Sequence, residues 1–209
     1  MSLIQLLPIG EPNRALLGAL GPALAAEFGG HCEILGGNFD PAPSMHPERR
    51  QYFSTDLLGR MRPYLAPDAR RLLGVTPLDL YIPILTFVFG EAQLEGSCAV
   101  VSTHRLRQEF YGLPPDRELL QARLLKEAVH ELGHTLGLVH CDDYRCAMAA
   151  SHSVELIDVK SGSLCVDCRA RSQAGLSRAG SAALSGGTCQ AEARRYRSPA
   201  LLARAVQSC

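Results

Sequence analysis

The chain has 209 residues, with 21 basic and 21 acidic side chains, a formal net charge of zero and 46% hydrophobic residues. This composition predicts one globular domain, or one domain with an appendage, and its balanced charge does not favour nucleic acid or anionic membranes as partners. No apolar run approaches the roughly 18–20 residues of a membrane span, and the first residues lack the basic start of a signal peptide. We therefore expect a cytoplasmic monomer that binds neither nucleic acid nor membranes.

The N-terminal region predicts a strand, a helix and a second strand. Residues 2–9 form a short apolar run bounded by Pro and Gly, which is typical of a buried strand. A helix is expected to begin near Pro12 and to kink or restart at Pro22. One face of this helix carries Leu16, Leu20, Leu24 and Phe28. With a further strand at 32–35, this order favours a parallel pair of strands in an α/β fold.

The middle of the chain predicts a loop, a helix and two strands. His46 lies in a loop rich in Gly, Pro and Asn, where we expect a surface histidine. Residues 55–66 have the apolar spacing of a helix. The most hydrophobic stretch, residues 78–89, predicts a central strand bent at Pro83. The next strand is expected at 98–103.

A long helix is predicted to begin at the Pro-Pro-Asp sequence of residues 114–116 and to run to about Leu136. Its buried face is expected to carry Leu120, Leu124, Ala128 and Leu132. On a helix of 3.6 residues per turn, His130 and His134 leave the same face one turn apart, which suits two ligands of one zinc ion. The alternative is an ordinary solvated helix face with two surface histidines.

The residues around His134 predict an open zinc site. Gly137 can adopt a positive φ without steric cost, so the chain can leave the helix and return His140 as a third ligand. Three protein ligands leave the fourth tetrahedral position for water, which is typical of catalytic zinc. Glu131 is close enough to bond a zinc-bound water without becoming a ligand. We therefore predict Glu131 as the general base of amide hydrolysis.

The histidine motif belongs to a longer pattern. The sequence HELGHTLGLVHC at 130–141 is followed by Cys-Ala-Met at 146–148 and by Cys-Val-Asp-Cys at 165–168. These motifs resemble the archaemetzincins, a branch of the metzincin zinc peptidases. Further similarity lies in DLYIPILTFVFGEA at 79–92, VSTHRLRQEFYG at 101–112 and SVELIDVK at 153–160, so that the resemblance covers about residues 1–170.

This resemblance implies a fold, a substrate class and a role for one methionine. The fold would be α/β (α+β), with a metzincin-like twisted mixed sheet over an active-site helix and a small zinc-stapled C-terminal subdomain. Met148 would form a tight turn beneath the metal. The strand at 98–103 would line the rim of the cleft, where an extended peptide or protein substrate would pair with its free edge.

Four cysteines of this pattern predict a second zinc ion in each chain. Cys141, Cys146, Cys165 and Cys168 have the spacing of a zinc knuckle, and four thiolates close the coordination shell. We expect this zinc to be structural and to fix His140 through its neighbour Cys141. The alternative, a redox-active CxxC at 165–168, leaves Cys141 and Cys146 without a role.

The sequence predicts three consecutive regions. We expect a catalytic domain at 1–140, a zinc-stapled part with the methionine turn at 141–170, and a weakly ordered basic tail at 171–209. From residue 169 onward the chain has seven Arg and one acidic residue, and 20 of its last 41 residues are Ala, Ser or Gly. Such a composition buries little apolar surface.

These observations favour a zinc-dependent metallopeptidase. One alternative is a zincin-fold binding or regulatory protein with little or no peptidase activity, which a missing Glu131 would have indicated. Another is a zinc-ribbon nucleic-acid module that uses the four cysteines and the basic tail. That module would be expected to have a basic body, whereas residues 1–168 contain 14 basic and 20 acidic residues.

Overall fold

The computed structural model describes residues 3–37 and 39–173, which form a mixed α/β fold. The larger sheet has five strands, which in spatial order are β2 (His31–Ile34), β1 (Leu3–Pro8), β5 (Arg71–Thr76), β8 (Cys98–Ser102) and β7 (Gly90–Ala92). The first four strands are parallel, and β7 is antiparallel to β8. A smaller sheet joins β3 (Met45–His46), β4 (Gln51–Phe53) and β6 (Leu80–Tyr81).

Helices cover both faces of the larger sheet. The α-helices are α1 (Arg14–Phe28), α2 (Ser54–Met61), α3 (Arg117–Thr135) and α4 (Val154–Val159). Short 3₁₀ helices occupy Ala42–Ser44, Arg62–Tyr64 and Gln108–Tyr111, and residues 166–173 are also helical. None of the helices in the described ranges is long and apolar enough to cross a membrane.

The alternation of side chains along β5 separates two cores. Leu73 and Val75 face the core that contains α1 and α3, whereas Leu72 faces the core that contains α2. Gly74 lies on the α2 side, where a Cβ would stand only 2.8 Å from the Met61 side chain. The close approach of Met61 therefore requires glycine at this position. This three-layer arrangement confirms the predicted α/β class.

The N-terminal unit has the predicted order, but its helix is continuous. β1, α1 and β2 form the parallel β-α-β unit, and α1 runs through Pro22 as one element. The expected restart is wrong because buried leucines hold the helix on both sides of the proline. These are Leu16, Leu17, Leu20 and Leu24.

The predicted central strand at 78–89 is wrong. The centre of the sheet is β5, and only Leu80–Tyr81 of the hydrophobic stretch forms a strand, in the smaller sheet. Pro83 lacks the N–H that a central strand needs, and Ile84 next to it is 69% exposed. The stretch instead folds as a loop that buries Leu80 and Val88 over the α2 core. Its hydrophobicity indicated burial but not strand structure.

The segment after α3 packs back onto α1 and α3. The predicted loop and extended segments at 149–164 include α4, where Val154 and Ile157 are buried one turn apart. Farther along, Arg169 forms an ion pair with Glu27 of α1 at 2.8 Å. The same Glu27 carboxylate accepts a hydrogen bond from the Leu164 N–H at 2.9 Å. The C-terminal part of the described chain is thus joined to the first helix.

Candidate active site

Helix α3 presents two histidines from a firmly anchored frame. Its first turn is capped by Asp116, whose Oδ1 accepts from the Leu119 N–H at 2.9 Å. Farther along, Leu124, Ala128 and Leu132 are buried in the core, as the sequence predicted. The helix ends at Thr135, and Gly137 follows with a positive φ of 86° and donates its N–H to the His134 carbonyl at 2.9 Å. This turn brings His140 back towards the helix.

The three predicted histidines meet at their Nε2 atoms. His130 Nε2 lies 3.1 Å from His134 Nε2 and 3.3 Å from His140 Nε2. A tetrahedral zinc ion with bonds of about 2.0–2.1 Å would hold its nitrogen ligands about 3.3 Å apart. The residues present therefore fit a zinc ion at this point.

Backbone carbonyls fix the orientation of two of these imidazoles. His130 Nδ1 donates to the Ala147 carbonyl at 2.9 Å, and His134 Nδ1 donates to the Leu138 carbonyl at 2.8 Å. Because a carbonyl oxygen can only accept, each ring carries its hydrogen on Nδ1 and directs the lone pair of Nε2 inward. Burial lowers the pKa of both histidines, and burial with the neighbouring His134 lowers that of His140 to about 4. All three rings are neutral at neutral pH, as metal ligands must be.

Glu131 is buried between α3 and the edge strand β7. A Cβ at Gly90 would stand 2.6 Å from Glu131 Oε1 and 2.7 Å from its Cγ, so the carboxylate lies directly on the strand backbone. Burial and the negative charges of Glu127 and Glu91 raise its pKa well above the usual range, and Lys160 opposes this shift. A raised pKa brings a carboxylate closer to the range of a general base at neutral pH.

Met148 packs against helix α3 at Gly133. It is fully buried, and a Cβ at Gly133 would overlap its Sδ. Residue 133 of the helix must therefore be small, because a larger side chain would keep the Met148 loop away from α3. Met148 therefore packs against the helix that carries His130 and His134.

The four predicted cysteines also converge. Their Sγ atoms all lie within 4.8 Å of one another, and Cys141 Sγ is 3.9 Å from Cys165 Sγ. A tetrahedral zinc with bonds of about 2.3 Å would hold sulfur ligands about 3.8 Å apart. Cys146 Sγ accepts from the Met148 and Cys165 N–H groups at 3.4 and 3.3 Å. The sulfur atoms therefore also fit a zinc ion.

The edge of the sheet differs from the expectation. β8 lies between β5 and β7, so the edge that is free within residues 3–37 and 39–173, next to Glu131, belongs to β7. The prediction that the strand at 98–103 offers its own edge is therefore wrong. The sequence argument missed β7 because it is only three residues long and contains a glycine.

Other residues singled out in the sequence lie outside this site. His46 is half-buried and packs edge-on against Tyr81 at 5.8 Å between ring centroids. Within the segment 153–160, Asp158 forms an ion pair with Arg123 at 2.6 Å. The basic tail at 171–209 lies, beyond residue 173, outside the described residues, as do Cys189 and Cys209.

Comparison with known proteins supports the same interpretation. Residues 52–173 match peptidase family M54. The chain is 43% identical over 162 residues to an archaemetzincin of Methanocaldococcus jannaschii, covering 77% of this chain and 87% of that protein. The crystal structure of the Methanopyrus kandleri archaemetzincin is similar with a TM-score of 0.75 and 34% identity, covering 85% of this chain and 96% of that one.

A second solved structure carries a functional description. It is a zinc-dependent peptidase from Methanocorpusculum labreanum, similar with a TM-score of 0.73 and 31% identity, covering 81% of this chain and 99% of that one. The family match, the fold and the two clusters of metal-binding side chains agree with one another. The chain belongs to peptidase family M54, the archaemetzincins, and is a zinc metallopeptidase.

Proposed function

We propose that this metallopeptidase cleaves peptide bonds at the histidine site, with Glu131 as the general base. One observation carries the proposal: the Nε2 atom of His130 lies 3.1 Å from that of His134 and 3.3 Å from that of His140, and the helix that carries His130 and His134 also carries the buried Glu131. Two histidines on a solvated helix surface would not be expected to donate hydrogen bonds from Nδ1 to backbone carbonyls. The arrangement instead suits a site in which each ring has one fixed tautomer.

The chemistry divides between the metal and the carboxylate. A zinc ion at His130, His134 and His140 would supply positive charge for the developing oxyanion and lower the pKa of water. Glu131 would take the proton from the attacking water and pass it to the leaving amine. The protein contributes by excluding solvent around Glu131, since the side chain is buried between α3 and β7.

We also propose a second, structural zinc ion at Cys141, Cys146, Cys165 and Cys168. Four thiolates would fill the tetrahedral shell, so no position would remain for substrate. The ion would join the turn after His140 to the residues that follow α4. Because Cys141 follows His140 directly, the same ion would restrain the third histidine.

A peptide substrate would bind in extended form along β7. The edge of this strand is free within the described part of the chain, and Gly90 on it touches Glu131. Backbone hydrogen bonds to an edge strand hold a peptide without requiring particular side chains. The scissile carbonyl would then lie next to the histidine site.

The proposal is tested by peptide cleavage with zinc-loaded wild type and the Glu131→Ala variant. A quenched-fluorescent peptide library should be cleaved by the wild type, and the variant should lose about 10²–10⁴-fold in kcat. Zinc content, measured by atomic absorption, should stay the same in both proteins. Equal cleavage by the variant would remove Glu131 from the mechanism. Silence from a wild type that holds two zinc ions would favour the zincin-fold binding protein.

A further inference from the structure

A buried ion pair lies behind the histidine site and has no part in the proposed chemistry. Lys160 Nζ is 2.8 Å from Glu127 Oε1, and the two side chains are 1% and 4% exposed. Burial removes both charges from water, so such a pair contributes little to stability compared with apolar side chains of the same size. Its location indicates another role.

The lysine also binds the loop beneath the histidines. Lys160 Nζ donates to the Ala149 carbonyl at 3.2 Å. Ala149 directly follows Met148, which packs against Gly133, and Ala147 accepts from His130 Nδ1 at 2.9 Å. The segment 147–149 is therefore fastened to α3 at three successive residues, and Lys160 supplies the third fastening.

Glu127, the partner of Lys160 in the ion pair, lies on helix α3. Glu127 is one helical turn before Glu131, so both carboxylates are on the same side of α3. The ammonium group of Lys160 contacts helix α3 at the Glu127 carboxylate and segment 147–149 at the Ala149 carbonyl. A single buried cation thus fixes the separation of the two elements that orient His130.

We propose that Lys160 is a positioning residue, which holds segment 147–149 against α3 and thereby orients His130 for zinc. The inference rests on the proposed histidine zinc site, but it does not depend on which peptide bond is cleaved. Partners that orient a metal ligand typically change metal affinity or activity by 10–100-fold when they are removed.

Two variants separate the positioning role from simple charge compensation. Lys160→Met removes the donor to Ala149 and leaves Glu127 buried without its cation. Adding Glu127→Met removes the orphaned charge but does not restore the hydrogen bond to Ala149. If Lys160 positions the loop, the double variant should recover thermal stability and still bind zinc poorly.

The readouts are the zinc affinity of the histidine site and the visible spectrum of the cobalt-loaded protein. Zinc is kept at the cysteine site and cobalt is loaded only at the histidine site, so that the d–d bands report the geometry at the histidines. The absence of thiolate-to-cobalt charge-transfer bands checks that no cobalt occupies the cysteine site. We expect a 10–100-fold loss of zinc affinity and changed d–d bands in both variants. Wild-type affinity and spectrum in the double variant would overturn the positioning role, since Lys160 would then only neutralise Glu127.

Lys126→Met is the matched control. Lys126 Nζ also joins α3 to the α4 region, through the Ile157 and Asp158 carbonyls at 3.0 and 2.9 Å, but its contacts do not reach segment 147–149. We expect some loss of stability with unchanged zinc affinity and spectrum. An equal loss of zinc affinity would show that α4 docking in general, and not Lys160, orients the site. These readouts remain decisive even if no peptide is cleaved, so failure of the proposed activity is distinguishable.

Discussion

The histidine site and the cysteine site meet in the chain at His140 and Cys141, yet they are held in different ways. Two of the three histidines lie on one buried helix, and backbone carbonyls fix both rings. The cysteines come from an irregular stretch at 141–146 and from the start of the helical residues 166–173, with Cys165 directly before this helix and Cys168 in its first turn. Burial lowers the pKa of the histidines towards their ligand form, whereas it raises the pKa of the Cys146 and Cys168 thiols away from theirs.

This difference indicates which of the two sites the chain can form without a bound metal. The histidines are neutral and in place because the core of α3 holds them. Four thiolates at mutual distances below 4.8 Å repel one another, so only a cation makes that arrangement favourable. The histidine site is therefore expected to exist before the metal binds, and the cysteine site to form with the metal.

Loss of one cysteine ligand should have the largest effect. Cys165→Ser should reduce the zinc content from two ions to one and lower the thermal stability, because the proposed structural zinc would link 141–146 to 165–168. Structural zinc contributes its binding free energy directly to folding. Zinc analysis, differential scanning calorimetry and hydrogen exchange over these residues measure the effect. Exchange in α3 should remain slow.

Cys32→Ser is the control for this experiment. Cys32 is half-buried in β2 and lies outside both clusters of metal-binding side chains. The Cys32→Ser variant should keep both zinc ions, and the backbone amides at 141–168 should exchange hydrogen no faster than in the wild type. A Cys165→Ser variant with two zinc ions and unchanged stability would contradict the four-thiolate zinc site and the difference proposed between the two sites.

A substitution at Gly90 should affect the histidine site with little effect on the cysteine site. In Gly90→Ala the new Cβ would displace the Glu131 carboxylate, and it would also stand 2.7 Å from the Val100 carbonyl across the strand pair. We expect kcat to fall by about 10–100-fold, because general-base catalysis depends on hydrogen-bond reach. Zinc content should remain at two ions.

Gly59→Ala tests whether any added methyl group has this effect. Gly59 is in helix α2, and a Cβ there would meet no described atom within 4 Å beyond its chain neighbours and the backbone of its own helix. Its kcat should equal that of the wild type, and its stability should rise slightly because alanine favours helix. A Gly90→Ala variant that unfolds, rather than one that folds and loses kcat, would show that the glycine serves β7 pairing instead of Glu131.

The parts that the sequence predicted correctly are those encoded by local spacing. The helix that carries His130 and His134 followed from its apolar ladder, and the positive φ of Gly137 followed from the need to return His140. The convergence of the four cysteines also followed from their spacing. In each case the residues that form the feature are close in the chain, or their side chains are of a type that commonly binds metal.

The missed parts depend on packing between distant segments. The central strand β5 was not recognised because Arg71 and Gly74 interrupt its short apolar run, whereas the loop at 78–89 is more hydrophobic. Likewise, the fastening of segment 147–149 by Lys160 requires α4 to fold onto α3. A single lysine after an apolar segment gives no sequence signal for this contact.

The pH dependence of the metal-free protein should give the smallest effect and should come from the histidine site. The folded pKa of His140 is about 4, below the value of about 6.5 expected in the unfolded chain. Between these values the unfolded chain binds a proton that the folded chain does not, so stability is complete above about pH 6.5 and falls as the pH drops towards 4. Burial raises the pKa of the Cys146 and Cys168 thiols, so these two groups do not titrate in this window. Urea unfolding of chelator-treated wild type and His140→Ala should therefore show a stability difference that changes with pH, and a constant difference from pH 7 to 4.5 would mean that His140 is solvated and that the histidine site, too, needs its metal to form.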